Sequence, residues 1–247
     1  MQKVCIIVPC FNEEKRISIE YFKRFYQFPE SACIDISFVN DGSMDKTLYV
    51  LRQLRDDCKG HVIVYDIPEN LGKAEAIRKT VLKISTNEHY DFIGYFDADL
   101  STPLEEVFLL QECFNRNKDC QVAFGSRVKR MGASIIRKPF RHYLGRIFAT
   151  FASLLLNLPV YDTQCGAKLF TRELAYRTFT EEFISRWLFD IEIFARIKEL
   201  YGVEKAKKIM FEVPLNNWKD RSDSKITFKD ILNVPFEFLK IRKRYKT

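Results

Sequence analysis

Glycine is scarce in this chain: nine in 247 residues, no two of them separated by a single position. The Gly-x-Gly-x-x-Gly fingerprint of dinucleotide sites therefore cannot form, and Gly-x-x-x-x-Gly-Lys-Ser/Thr is absent as well. A nicotinamide dehydrogenase and a P-loop nucleotidase are excluded. Long apolar runs are also missing. The nearest, residues 147–158, stops after twelve positions at Pro159, short of the ~18 to 20 needed to cross a bilayer. The amino-terminal run meets Asn12-Glu13-Glu14 too early for a signal peptide. Seven cysteines, at 5, 10, 33, 58, 113, 120 and 165, are odd in number and include no Cys-x-x-Cys. They predict reduced core thiols of a cytoplasmic protein, not a disulfide framework or a zinc site.

Acidic residues are absent from positions 120–161, a stretch with seven basic ones: Arg127, Lys129, Arg130, Arg137, Lys138, Arg141 and Arg146. Residues 240–246 hold five more cations in seven positions. With a net charge of +7, this asymmetry predicts an anionic partner: phosphate, nucleic acid or a membrane surface. No recognisable nucleic-acid motif accompanies the cations, so nucleic acid is the poorer choice.

What the chain does contain is alternation. Apolar content of 47% with 14% aromatic residues is that of a globular protein. Strand-like runs at 4–8, 34–39, 62–65, 92–96 and 122–124 are separated by helix-like segments near 13–26, 44–57, 72–86 and 103–116. Such spacing predicts an α/β fold, a mostly parallel sheet covered by helices in one domain. Residues 1–225 would form it. Residues 226–247 would add an amphipathic tail with Phe228, Ile231, Leu232, Pro235, Phe236, Phe238, Leu239 and Ile241 ahead of the basic cluster. That tail suits either a peripheral membrane contact or a terminal helix packed on the domain.

The run 92–96 ends in Asp97-Ala98-Asp99. Open α/β sheets bind ligands beyond the carboxyl ends of their strands, and two carboxylates this close call for a divalent cation or hydrogen-bond donors. Ser101 or Thr102 would cap the following helix while the aspartates face the cleft. Three other strands end in comparable polar clusters: Pro9-Cys10-Phe11-Asn12-Glu13, Asn40-Asp41-Gly42-Ser43 and Asn70-Leu71-Gly72-Lys73. Each alone is ordinary turn chemistry. Four on one sheet edge predict a cleft.

In that order and spacing, Val-Pro-x-x-Asn-Glu, Asp-Gly-Ser-x-Asp-x-Thr, Asn-x-Gly-Lys-x-x-Ala-Ile-Arg and Asp-Ala-Asp resemble the inverting nucleotide-sugar glycosyltransferases of GT-A (Rossmann-like) fold. Phe124-Gly-Ser-Arg127, the segment 162–170, Arg186-Trp-Leu-Phe-Asp-Ile-Glu192 and the segment 220–225 resemble the dolichyl-phosphate glucosyltransferase branch and its polyprenyl-phosphate relatives. The resemblance implies a donor site of Pro9, Asn12, Glu13, Asp41, Gly72, Lys73, Asp97, Ala98, Arg221 and Lys225. Asp41 would meet the base, Asp97 the ribose, and Asp99, with Asp97, Mg2+ or Mn2+. Arg127, Arg137, Arg141 and Gln164 would hold the acceptor. It implies transfer of a hexose, glucose or a related sugar, from a UDP-sugar to polyprenyl phosphate at the cytoplasmic membrane face. A soluble enzyme acting on a glycan hydroxyl, with Asp190 as general base, is the alternative, and a catalytically silent nucleotide-sugar binder a third. Asn40 stands where the family has an acid. The Gln that mannosyltransferases carry two residues after Asp-Ala-Asp is absent, which argues against a mannosyl donor.

Overall fold

The computed structural model describes residues 2–221 and 228–245, leaving aside the side chains at 139–142, 144 and 228–232. The five expected strands are present as β1 (Val4–Cys10), β2 (Ile34–Asp41), β3 (Val62–Ile67), β4 (Phe92–Phe96) and β5 (Val122–Ser126). Later come β6 (Ser134–Ile136), β7 (Ala167–Thr171), β8 (Met210–Pro214) and β9 (Asn217–Lys219). Seven strands form one sheet in the order β3-β2-β1-β4-β7-β5-β8, and β6 pairs with β9 apart from it. Within the large sheet every pairing is parallel except those of β7, which runs antiparallel to both β4 and β5.

That reversed strand matters for the site. Phe96 at the carboxyl end of β4 is paired with Ala167 at the start of β7. The segment leading into β7 therefore arrives at the same sheet edge where the parallel strands end. The strand order reverses between β1 and β4, so the crevice lies where open α/β sheets place ligands.

Alternate strand residues feed two cores. Val4, Ile6 and Val8 of β1 face one, with α1 (Ile19–Phe25), α2 (Thr47–Asp57) and α4 (Glu106–Arg116). Cys5 and Ile7 face the other, with α3 (Lys73–Ser85), α5 (Pro139–Leu156), α6 (Arg172–Phe179), α7 (Phe189–Tyr201) and α8 (Val203–Ile209). A helix α9 (Phe228–Tyr245) joins this second core through Ile241 and Tyr245. Each fully buried large apolar side chain contributes roughly 1.5–3 kcal/mol, which holds both helical layers on the sheet. The seven cysteines carry free thiols, six of them buried.

Two helix starts differ from expectation for a local reason. Residues 12–18 form a turn, not the first part of a helix, because Asn12 has φ +53° and the Glu13 carbonyl accepts the N–H groups of Arg16 and Ile17. Ser18 then caps α1 by accepting Tyr21 N–H. Neither Ser101 nor Thr102 caps α4, which begins after Glu105 without a side-chain cap. Asp99 closes a tight turn ahead of the helix: its Oδ1 accepts Ser101 N–H at 2.8 Å, and Leu100 within that turn has φ +54°. Among the described residues, no helix is long and apolar enough to cross a membrane.

Candidate active site

A cavity of about 1020 Å3 opens at the carboxyl edge of β1, β2 and β4. Pro9 and Glu13 reach it from the β1 loop, Asp41 from β2, and Gly72 and Lys73 from the start of α3. Asp97, Ala98 and Asp99 form its floor beyond β4, while Asp190 enters from α7 and Arg221 from beyond β9. Arg127, Arg137 and Gln164 line the other side. Asn12 is the exception. It binds loop to loop, its N–H donating to Ser43 Oγ at 3.0 Å and its Oδ1 accepting Met44 N–H at 2.9 Å, and it is not part of the lining. Lys225 and the side chain of Arg141 lie outside the described residues.

The donor half is built by backbone geometry. Asp41 is buried, and its two carboxylate oxygens accept the N–H groups of Leu71 and Gly72 at 2.8 and 2.9 Å. It thereby fixes the loop that presents Lys73, while an ionised carboxylate keeps further lone pairs for a ligand. Gly72, at φ +86°, occupies a conformation that glycine adopts without steric penalty. Lys73 Nζ pairs with Asp97 Oδ1 at 2.5 Å. Burial works against that charge, but Asp97 first, then Asp190 and Asp99, hold the lysine pKa above its ordinary value.

Asp99 has no such partner. Beyond its Oδ1 contact to Ser101 N–H, it forms no hydrogen bond or ion pair among the described residues, although it lies half-buried at the cavity. No cluster of three or more metal-ligating side chains exists among the described residues, so the protein offers no closed cage. A carboxylate without a contact ion pair, facing an open cleft, fits Mg2+ or Mn2+, hard cations commonly held by one or two carboxylates plus substrate phosphates and water.

Asp190 sits in a buried network. Its Oδ1 accepts Lys168 Nζ at 2.6 Å and the Tyr95 hydroxyl at 2.5 Å. Lys168 is fully buried and also donates to the carbonyls of Thr163 and Cys165 at 3.0 and 2.7 Å. Burial and the Asp190 charge hold the Tyr95 hydroxyl well above its ordinary pKa, so it stays a donor. Oδ1 is thus committed. Oδ2 has no partner among the described residues, and Asp190 lines the cavity.

The cationic side holds the largest departure from the sequence reading. Arg127 is not uncompensated: Asp162, one residue beyond the acid-free stretch, accepts its Nε and Nη2 at 2.6 and 2.8 Å. Glu212 of β8 fixes that loop by accepting the N–H groups of Tyr161 and Asp162, each at 2.8 Å. Arg137 behaves differently. It lies against Gly145 of α5, where an added Cβ would collide with the guanidinium. Among the described residues it has no hydrogen bond or ion pair, and burial, then the neighbouring Arg127, push its pKa below the ordinary value against the smaller opposing pull of Asp162 and Asp220. Gln164 Nε2 is buried without a partner among the described residues. Arg186, exposed at the cavity, adds a further cation that sequence reasoning did not single out. Asp162 and Lys168 were overlooked too, though a lysine inside the apolar run Ala167-Lys168-Leu169-Phe170 was a readable signal.

The Arg127–Asp162 pair sets an acid limit on stability. Burial alone would raise the Asp162 carboxyl; the Arg127 charge and hydrogen bonds outweigh it and bring the pKa from 3.8 down to about 2. A carboxyl depressed on folding stabilises above its unfolded value and loses that contribution as the pH falls through the folded one. About 2 kcal/mol should therefore disappear between roughly pH 4 and pH 2. Urea titrations across that range should show this slope in the wild type and a shallower one in Asp162→Asn.

The Glycosyl transferase family 2 pattern matches residues 5–179. The chain belongs to that family. It is a glycosyltransferase, and the family pattern ends with α6, just past the β4–β7 edge that carries the aspartates. The human dolichyl-phosphate beta-glucosyltransferase is 30% identical over 259 aligned positions, covering 100% of this chain and 76% of that one. Glucosyl-3-phosphoglycerate synthase from Mycobacterium tuberculosis, solved with Mn2+, UDP and glucosyl-3-phosphoglycerate, superposes with a TM-score of 0.67 at 14% identity, covering 99% of this chain and 80% of that one. The same synthase with Mg2+ and UDP gives 0.65 at 15%, covering 97% and 79%. At such identity these structures establish the GT-A fold of the chain.

Proposed function

We propose that this glycosyltransferase moves a hexose, glucose or a closely related sugar, from a UDP-sugar to the phosphate of a polyprenyl phosphate, with inversion and with Mg2+ or Mn2+. The observation that carries the acceptor half is Arg137, a half-buried guanidinium in the cavity that makes no ion pair among the described residues and whose charge Asp162 and Asp220 offset only in part. A phosphate there would complete the compensation, and the planar guanidinium fork matches phosphate oxygens. The similarity to dolichyl-phosphate beta-glucosyltransferases, over 100% of this chain and 76% of theirs, supports the same acceptor.

The residues divide the work. Asp99, with Asp97 beside it, would hold the metal, which when bound supplies Lewis-acid stabilisation of the departing diphosphate. Lys73 keeps Asp97 in place and adds positive charge next to it. Asp41 would offer its remaining lone pairs to the uracil N–H, and Arg221, which lines the cavity, would approach the donor phosphates. A phosphate nucleophile is already ionised, so the task of Arg137 and Gln164 is to aim it at the anomeric carbon. Such an acceptor requires attachment at a membrane surface, which for a UDP-sugar donor is the cytoplasmic one.

The test is transfer from labelled UDP- and GDP-sugars to a short-chain prenyl phosphate. A labelled lipid product that requires Mg2+ or Mn2+, and whose acceptor KM rises roughly ten- to hundredfold in Arg137→Ala, supports the reading. Donor hydrolysis with no lipid product sinks its acceptor half.

The unpartnered Oδ2 of Asp190 favours a second reading, in which this carboxylate deprotonates a glycan hydroxyl. Asp190→Asn separates the two. Loss of turnover by about a hundredfold or more on a hydroxyl acceptor, the range that a general base supplies, would replace the phosphate reading. A loss of about tenfold or less on prenyl phosphate keeps it.

A further inference from the structure

Four of the large exposed apolar side chains lie on one helix. Tyr143, Ile147, Phe151 and Leu154 of α5 are 69%, 57%, 62% and 73% exposed. Their spacing of four, four and three residues places them within roughly 80° of arc, a single stripe along the helix. The other side of α5 faces inward: Ala152 and Leu156 are buried in the core, and Gly145, Arg146, Phe148 and Ala149 line the cavity. α9 packs beside α5 on the inner side, where Phe148 and Phe238 meet with ring centroids 5.3 Å apart, and on the opposite face of α9 Phe236 and Leu239 are 64% and 60% exposed. Lys240 and Lys243 extend that same exposed face, one turn apart, while Ile241 and Tyr245 turn inward. Single exposed apolar residues are ordinary on any protein, but six on two touching helices are not.

We propose that the outer face of α5, joined by the Phe236–Lys243 face of α9, is a docking surface for an anionic lipid bilayer. The charge pattern selects that occupant. No acidic residue occurs in α5 or anywhere from 120 to 161, and the apolar residues of α9 lead into exposed Lys240, Arg242 and Lys243. Apolar side chains bordered by cations suit acyl chains beneath anionic headgroups. A second copy suits them less well, since a twofold contact through this face would set the α9 cations of both copies against each other. Position points the same way. α5 has one side on the cavity and the other on the stripe, so a polyprenyl phosphate held at Arg137 would leave its chain beside the helix that enters the bilayer. In purpose this rests on the lipid-phosphate reading above; its test does not.

The test is cosedimentation of the full-length chain with phosphatidylglycerol–phosphatidylcholine vesicles. The wild type should partition onto them and be partly released by salt. Ile147→Ser/Phe151→Ser/Leu154→Ser should partition at least tenfold less, and Lys240→Glu/Lys243→Glu should lose the dependence on phosphatidylglycerol. Both variants should keep transfer to a short, water-soluble prenyl phosphate and lose transfer to a long-chain acceptor embedded in vesicles. Equal partition of the triple-serine variant and the wild type overturns the proposal. So does a wild-type dimer that this variant dissociates, with neither protein binding vesicles. Stripe-dependent partition without transfer to any prenyl phosphate supports the surface and sinks the acceptor reading alone.

Discussion

Gly166→Ala should lower kcat by about a hundredfold or more while leaving a folded protein. Gly166 directly precedes β7, and its carbonyl accepts Asp97 N–H at 3.1 Å. This holds the two backbones close where the antiparallel pair reaches the cavity. A Cβ at this position would fall on the Asp97 carboxylate itself. The carboxylate would have to swing away and give up Lys73, or the strand ends would have to part. Overpacking of this kind costs about 1–3 kcal/mol of stability, a deficit a protein of this size tolerates. Catalysis is less forgiving, because a displacement near 1 Å can cost roughly a hundredfold in rate. Calorimetry of UDP binding with Mn2+ should weaken in parallel. Wild-type turnover in Gly166→Ala would show that Asp97 acts from a different position.

Lys168→Met should be the most destabilising single change at the site, by about 3–5 kcal/mol. Lysine 168 has no solvent exposure, and its partner Asp190 is 3% exposed. Removing one member of a buried ion pair leaves the other charge uncompensated, which is where losses of that size arise. Here the substitution also strips a donor from the carbonyls of Thr163 and Cys165. Asp190 would keep only Tyr95. The double variant Lys168→Met/Asp190→Asn should regain part of the loss, since no buried charge remains. Urea denaturation reads both. A loss below about 1 kcal/mol in Lys168→Met would mean that water or another group reaches Asp190.

The donor half of this site was readable because its signals are local. A βα unit places its polar turn at the strand end by chain geometry alone. Pro9, Asp41, Lys73 and Asp99 could therefore be set on one edge without knowing the sheet order. Asn12 shows the limit: it belongs to the right loop, but its side chain holds a neighbouring loop. The acceptor half depends on pairings across distance. Arg127 finds Asp162 35 residues away, and no count of acids inside a window could separate it from Arg137. The segment leading into β7 carries Asp162 and Gln164, and β7 itself carries Lys168. Its place beside Asp97 follows from an antiparallel strand that alternation of strands and helices does not predict.

The sequence by itself determined the α/β class, the polar strand ends and the carboxylates Asp97 and Asp99, because periodicity and turn chemistry act over a few residues. Tertiary structure decided which charges are compensated and which apolar faces are covered. The apolar pattern of α5 reads the same whether a helix is buried or exposed. Only the packing of its inner side against the cavity and core leaves Tyr143, Ile147, Phe151 and Leu154 facing out. Likewise Arg127 and Arg137 are equal as letters, and only the fold brings one of them into a contact ion pair while leaving the other outside one.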